Sequence, residues 1–128
     1  LGLLSGQHSR ELFAGSMFPD QIVVLGPAFV YIPYCDPGLP LAIAVKNGLD
    51  EFVERERRVP RVILMENHGV IALGGSAQEV LNVTQMLVKT CRIVAGALAA
   101  GGPRFLSAAH VERIDCRPDE LARRKDFQ

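Results

Sequence analysis

Short apolar runs separated by turn residues predict the strands of this protein. Four such runs are rich in β-branched, leucine or aromatic side chains and are followed by Gly, Pro or polar residues, as is typical of strands. They cover residues 22–25, 29–32, 62–65 and 70–73. The third run contains no polar residue, which indicates a strand buried on both faces of a sheet.

Apolar positions at helical spacing predict a helix over residues 39–58. They lie three or four positions apart and therefore share one face. This face comprises Leu41, Val45, Leu49 and Phe52. Pro40 suits the first helical turn, whereas Pro60 prevents the helix from continuing. Gly48, in the interior, costs the helix about 1 kcal/mol relative to alanine. A shorter helix is predicted over residues 7–14, ending at Gly15.

The strongest helical pattern follows Ser76. Ser76 and Glu79 have the spacing of a capping box, in which each side chain satisfies the other residue's free backbone N–H. The predicted apolar face comprises Val80, Thr84, Leu87, Cys91, Val94 and Leu98, widened by Val88 and Ala95. The Gly101-Gly102-Pro103 segment ends this helix. Two short helices are predicted near residues 108–114 and 118–125.

The order of these elements predicts a layered α/β domain. The connection from Leu73 to Ser76 is so short that the long helix must fold back against its own sheet. The 128 residues suffice for one hydrophobic core. Because the sequence begins with Leu1 and not with Met, we expect residues 1–128 to form a single domain or part of a domain in a longer protein.

Composition narrows the possible partners and the compartment. Lys plus Arg and Asp plus Glu each number 14, so the zero net charge does not favour nucleic acid or an anionic membrane as partner. Cys35, Cys91 and Cys116 are odd in number and far apart, which favours reduced thiols in the cytoplasm. The sequence has no membrane-spanning apolar run and no signal-peptide pattern.

The polar interruption between the last two predicted strands is the best candidate for chemistry. Glu66, Asn67 and His68 follow a buried strand, and Gly69 precedes the next one. Asn and Gly tolerate unusual backbone angles, so a sharp turn here can point His68 outward from a rigid strand end. Such an imidazole suits a metal ligand. From the residues alone, however, a histidine that only hydrogen-bonds within a turn is favoured, because an isolated histidine is seldom a metal ligand.

Other candidates each have a plainer interpretation. Glu66 and Asn67 could lie behind a metal ligand and orient it, although a carboxylate at a strand end can also simply face solvent. Residues 74–76, before the long helix, could bind an anion, but a turn and helix cap is favoured. Tyr31 and Tyr34 could reach an active site or lie at a sheet edge. No Walker loop and no Gly-x-Gly-x-x-Gly motif supports nucleotide binding.

Two motifs and their spacing resemble the class II aldolase and adducin family. Residues 61–74, with Asn67-His68-Gly69 at their centre, are similar to that family's Asn-His-Gly segment, which also precedes a capped helix. Upstream, the pattern Tyr-x-Asp-Pro-Gly-x-x-Leu-Ala over residues 34–42 resembles the segment before the family's penultimate long helix. The resemblance covers roughly residues 22–100. It implies a three-layer α/β/α sandwich with a mixed, largely antiparallel sheet.

The resemblance also implies a metal site to which this chain contributes one ligand. The histidine matching His68 is a zinc ligand in the family, and the other ligands and the acid/base come from the family's N-terminal half. His8 stands 60 residues before His68, close to the family separation, but lacks a second histidine two residues away. His8 and His110 are therefore interpreted as surface residues of helices. The catalytic and substrate-binding residues are not predicted.

Two functions follow from the resemblance. One is a zinc-dependent lyase of carbohydrate metabolism that cleaves a sugar phosphate in a reversible aldol reaction, or a related epimerase or dehydratase, in a cytoplasmic homo-oligomer, a tetramer by analogy. The other is a non-catalytic, adducin-like or degenerate second domain with a role in packing or assembly. A His-x-His pair and a preceding glutamate upstream would favour the enzyme. Fold alone does not choose between them.

Overall fold

The structure, a computed structural model, describes residues 1–119, which contain five α-helices and a three-stranded sheet. The helices are α1 (Ser9–Leu12), α2 (Pro19–Leu25), α3 (Leu39–Glu56), α4 (Ala77–Ala99) and α5 (Ala108–Asp115). The strands are β1 (Val30–Ile32), β2 (Val62–Met65) and β3 (Gly69–Ala72), and a short 3-10 helix covers Gly2–Ser5. The helix predicted near 118–125 lies largely outside the described residues.

The sheet is mixed and has the order β1-β2-β3. β1 and β2 are parallel, with Ile32 opposite Met65, and α3 makes the crossover that a parallel connection requires. β2 and β3 form an antiparallel hairpin in which Met65 pairs with Gly69. The parallel pair places the loops that follow β1 and β2 at one edge of the sheet.

Helices cover both faces of the sheet, which confirms the α/β class and its layers. On one face, Val30, Ile32 and Ile63 pack with Phe52 of α3, and the predicted α3 face around Leu41, Val45 and Leu49 adjoins this cluster. On the other face, a second cluster joins the sheet to α4, α2 and the N-terminal segment. It comprises Leu4, Phe13, Leu25, Val62, Leu64, Val83 and Leu87. Successive β2 side chains enter opposite clusters, as expected for a strand buried on both faces.

The N-terminal prediction was wrong for residues 22–25. They do not form a strand but the second half of α2, which begins at Pro19 and ends at Gly26 with φ 87°. Proline suits the first helical turn, and a short apolar run does not by itself separate a strand from a buried helix. The sheet therefore has three strands, not four, within residues 1–119. The helix predicted over 7–14 is also shorter, covering Ser9–Leu12.

The long helix was placed correctly, but its predicted buried face was partly wrong. The residues of α4 that are buried are Glu79, Val83, Leu87, Thr90 and Val94. Val88 and Leu98, predicted inside, are 46% and 45% exposed. The apolar surface of α4 is wider than the layer beneath it, so periodicity alone did not locate the contact side.

Helix α5 packs on α2 through Ile22, Val23 and Ile114. At its last residue, Asp115 accepts a hydrogen bond of 2.8 Å from Arg58, just beyond α3, and this bond raises the pKa of Arg58. The three cysteines are free thiols, as predicted. Burial raises the pKa of the Cys91 thiol, so that its reactive thiolate forms less readily.

Among residues 1–119, no helix combines the length and the apolar character that a membrane span requires.

Gly48 allows α3 to lie close to β1. A Cβ atom at this position would lie 2.6 Å from Ile32 Cδ1 and 3.1 Å from Val30 Cγ1, both of which belong to buried side chains. We therefore expect Gly48→Val to lower the free energy of unfolding by about 2 kcal/mol through overpacking, despite the better helix propensity of valine. Urea denaturation monitored by circular dichroism measures this change.

Gly96 provides the matched control for Gly48. It also lies inside a helix, but a Cβ atom there meets nothing within 4 Å. Gly96→Val should change stability by less than about 0.5 kcal/mol. Equal losses at both positions would show that close packing of α3 on β1 is not the reason for Gly48.

Candidate metal centre

The turn that joins β2 to β3 and carries His68 has the unusual backbone angles that the sequence predicted. Asn67 adopts the left-handed conformation with φ 57°, and Gly69 follows with φ 138°. The backbone N–H of His68 donates to the carbonyl oxygen of Met65 at 3.1 Å, and that of Asn67 donates to Leu4 at 3.1 Å. These bonds fix the turn at the end of the most buried strand of the sheet. The Asn-x-Gly pattern is thus explained by backbone geometry.

The imidazole of His68 is half-buried and has two neighbours from the loop after β1. His68 Nε2 lies 2.7 Å from the carbonyl oxygen of Cys35. Because a carbonyl oxygen only accepts hydrogen bonds, Nε2 carries the proton and Nδ1 of the neutral ring has the free lone pair. The Tyr34 ring stacks on the imidazole, with centroids 5.3 Å apart and planes inclined by 7°.

Glu66 binds the neighbouring loop. Its Oε2 accepts the backbone N–H of Tyr34 at 3.0 Å, and its own N–H donates to the carbonyl oxygen of Ile32 at 2.9 Å. Of the two residues predicted to orient the metal ligand, Glu66 therefore bonds to the loop that contacts the imidazole. The side chain of Asn67 is exposed, and its contribution is the left-handed turn.

The two tyrosines considered in the sequence have different surroundings. Tyr31 shares a hydrogen bond between hydroxyl groups with the buried Ser9, and the Arg10 guanidinium lies over its ring. It therefore packs α1 against the sheet. Tyr34 stacks on His68 and is 54% exposed.

The sequence did not reveal the role of the Cys35 backbone. A backbone carbonyl has no sequence signature, and Cys35 and His68 are 33 residues apart. Only the expected strand topology could have indicated this contact. If β1 and β2 are parallel neighbours, the segments that follow them meet at one edge of the sheet.

His68 is suited to be one ligand of a metal, but the described residues do not complete a site. A catalytic zinc usually has three protein ligands in addition to water or substrate. Within residues 1–119, no three His, Cys, Asp or Glu side chains are grouped so as to hold a metal ion. The other two histidines, His8 and His110, are exposed on the surface as predicted. The role of His68 as a metal ligand stays a prediction.

His68 is absent from the linings of five surface cavities of the described residues. These cavities have volumes of about 270 to 660 Å³. Substrate pockets are usually concave and enclose most of the ligand. None of these five cavities would place a substrate against His68.

The start of α4 is capped by side chains of the protein itself. The Ser76 hydroxyl accepts the N–H of Glu79 at 3.2 Å, which confirms half of the capping box. The Glu79 carboxylate does not return to Ser76 but accepts the N–H of Gly75 at 2.6 Å and pairs with Arg61 at 2.7 Å. The protein thus supplies its own negative charge at this helix end. The plainer interpretation, a turn and cap, is confirmed.

Comparison with known proteins identifies the domain type. A search among curated proteins finds no significant match. The profile of the class II aldolase and adducin N-terminal domain matches residues 7–95, well over half of the 128 residues. This match includes the β1 loop, the Asn67-His68-Gly69 turn and most of α4. The chain belongs to the class II aldolase and adducin N-terminal domain family.

Proposed function

We propose that residues 1–128 form the C-terminal part of a metal-dependent, class II sugar-phosphate aldolase-like domain. In the complete protein, His68 is one ligand of a zinc ion, and the reaction is the reversible aldol cleavage of a ketose phosphate. The remaining ligands and the acid/base come from residues other than those described. By family resemblance, the protein is a cytoplasmic homo-oligomer, and its small-molecule partner is a sugar phosphate.

The observation that carries this proposal is how the structure presents His68. The imidazole follows the central strand of the sheet, whose first three residues are buried, and its turn is fixed by Asn67 and Gly69. A ligand on a rigid element keeps its geometry without a cost in ordering when the metal binds. The same turn lies within the segment that matches the family.

The residues of this chain hold and orient the ligand. A divalent metal, when bound, supplies Lewis-acid polarisation of a substrate carbonyl. The Cys35 carbonyl keeps the proton of the neutral imidazole on Nε2, so that Nδ1 is the nitrogen with a free lone pair. The Tyr34 ring shields one face of the imidazole from water. Nδ1 would therefore be free to hold a metal while Nε2 keeps its bond to Cys35, an arrangement common for histidine ligands.

A non-catalytic, adducin-like role is the second candidate. It is favoured by the absence of a three-ligand group within residues 1–119 and by the position of His68 outside the five cavities. In that case the hydrogen bond from His68 to Cys35 stabilises the turn, and the domain serves packing or assembly.

Aldehyde release by the complete protein decides between the two candidates. We expect the protein to release an aldehyde from a ketose phosphate, a chelator to stop the release, and added zinc to restore it. A coupled reductase assay with a panel of ketose phosphates measures the rate. Because zinc would act as the Lewis acid, its removal should lower the rate by several orders of magnitude.

Two outcomes would contradict the aldolase proposal. One is release that continues after metal analysis shows that the chelated protein contains no metal. The other is no release from any ketose phosphate by protein that contains zinc, which would favour the adducin-like role.

A further inference from the structure

The loop after β1 and the turn after β2 together hold the His68 ring. We infer that Glu66, Tyr34 and the Cys35 carbonyl form a positioning clamp, which keeps the imidazole in one orientation and one tautomer before a metal binds. The effect of the clamp on the metal-free imidazole does not depend on the proposed function, whereas its effect on metal affinity rests on that function.

Glu66 fixes the position of the loop. Its carboxylate accepts the Tyr34 N–H at 3.0 Å, and its N–H donates to Ile32 at 2.9 Å. A hydrogen bond to a charged acceptor is roughly twice as strong as a neutral one. The two bonds join the end of β1 and the loop that follows it to the turn after β2, which fixes the loop relative to His68.

Tyr34 and Cys35, both in this loop, hold the imidazole through different contacts. The Tyr34 ring lies parallel to the imidazole, at 5.3 Å between centroids and 7° between planes, and restricts the rotation of the ring. The Cys35 oxygen lies 2.7 Å from Nε2 and can only accept, so it favours the tautomer with a proton on Nε2. Together the two contacts select both orientation and tautomer.

Because Tyr34 is exposed, its role in orienting His68 can be tested without disturbing the hydrophobic core. Its side chain is 54% exposed and belongs to none of the three apolar clusters of the described residues. Replacing it therefore removes little buried apolar area and leaves the fold intact. A change at His68 in such a variant reports on the clamp.

Long-range 1H–15N correlation spectra of the 128-residue chain test the clamp directly. They are recorded at about pH 8, where an ordinary imidazole is neutral. The wild-type chain should show His68 with its proton on Nε2 only. Glu66→Ala and Tyr34→Ala should each bring the other tautomer to tens of per cent, since the carbonyl is no longer held in place. Glu66→Gln should behave as wild type, because its amide oxygen still accepts the Tyr34 N–H.

Glu54 provides the control, because it is an exposed carboxylate on α3. Glu54→Ala should leave the His68 spectrum unchanged, and the signals of His110 should be constant throughout. Two results would overturn the clamp: a mixture of tautomers in the wild-type chain, or a single tautomer in both alanine variants.

Zinc affinity in the complete protein tests the consequence for the metal. Competition with a chelator should show affinity about tenfold lower for Glu66→Ala and Tyr34→Ala, with Glu66→Gln close to wild type. If His68→Ala loses zinc while both clamp variants retain full affinity, the clamp has no role at the metal. If His68→Ala retains zinc, the proposed metal site fails, and the tautomer spectra still decide whether the clamp exists.

Discussion

His68→Ala should remove most of the zinc from the complete protein. Loss of partners that only orient a ligand typically costs 10–100-fold in metal affinity, so loss of a ligand itself should cost more than about 100-fold. The alanine variant retains the left-handed turn at Asn67 and Gly69, because the turn depends on backbone geometry. Metal content by atomic spectrometry and affinity by chelator competition measure the change.

His110→Ala is the matched control for His68. His110 lies on α5, is exposed, and its backbone N–H is held by Ser107. The control should retain full zinc content, and circular dichroism should show both variants folded. A folded His68→Ala variant with unchanged zinc stoichiometry would refute the ligand role.

Glu79→Ala should lower the free energy of unfolding by about 2–3 kcal/mol. The Glu79 carboxylate is buried, pairs with Arg61 at 2.7 Å and accepts the Gly75 N–H at 2.6 Å. Its removal leaves a largely buried guanidinium without this partner and an N–H at a helix start without an acceptor, both of which are costly. Arg61 is 26% exposed, so water compensates part of the loss. Urea denaturation measures the change.

The exposed pair Lys46–Asp50 provides the comparison. It is also an ion pair, at 2.5 Å, but its side chains are 74% and 65% exposed. Asp50→Ala should cost no more than about 0.5 kcal/mol. Glu79→Gln should retain part of the stability, because its amide oxygen can still accept the Gly75 N–H. Equal costs for Glu79→Ala and Asp50→Ala would show that burial of the carboxylate is unimportant.

Glu79 shows which contacts of a residue follow from short-range sequence patterns and which depend on tertiary packing. The Ser-x-x-Glu spacing correctly predicted the start of α4 and the bond from Ser76. It did not predict that the glutamate would bind Arg61 and Gly75, because Arg61 is brought to α4 by β2. A capping box depends on residues of one helix turn, whereas the ion pair depends on the packing of that helix on the sheet.

The N-terminal third shows where local pattern is ambiguous. The run at 22–25 contains residues that favour strands, yet Pro19 begins a helix there and Ile22 and Val23 pack on α5. Whether such a run forms a strand or a helix depends on which partner covers it. The apolar face predicted for α4 shows the same limit. A period of 3.6 residues defines an apolar face but does not identify the side of the helix that other elements cover.

The sequence by itself determined the α/β class, the bounds of the main helices to within about two residues, the buried strand Val62–Met65 and the turn that presents His68. These features follow from short-range periodicity, proline and glycine positions, and turn chemistry. Only the tertiary structure decided which side of α4 is buried, the Arg61–Glu79 pair and the contacts of Tyr34 and Cys35 with His68. Those contacts join residues far apart in the chain, and their formation depends on how strands and helices pack.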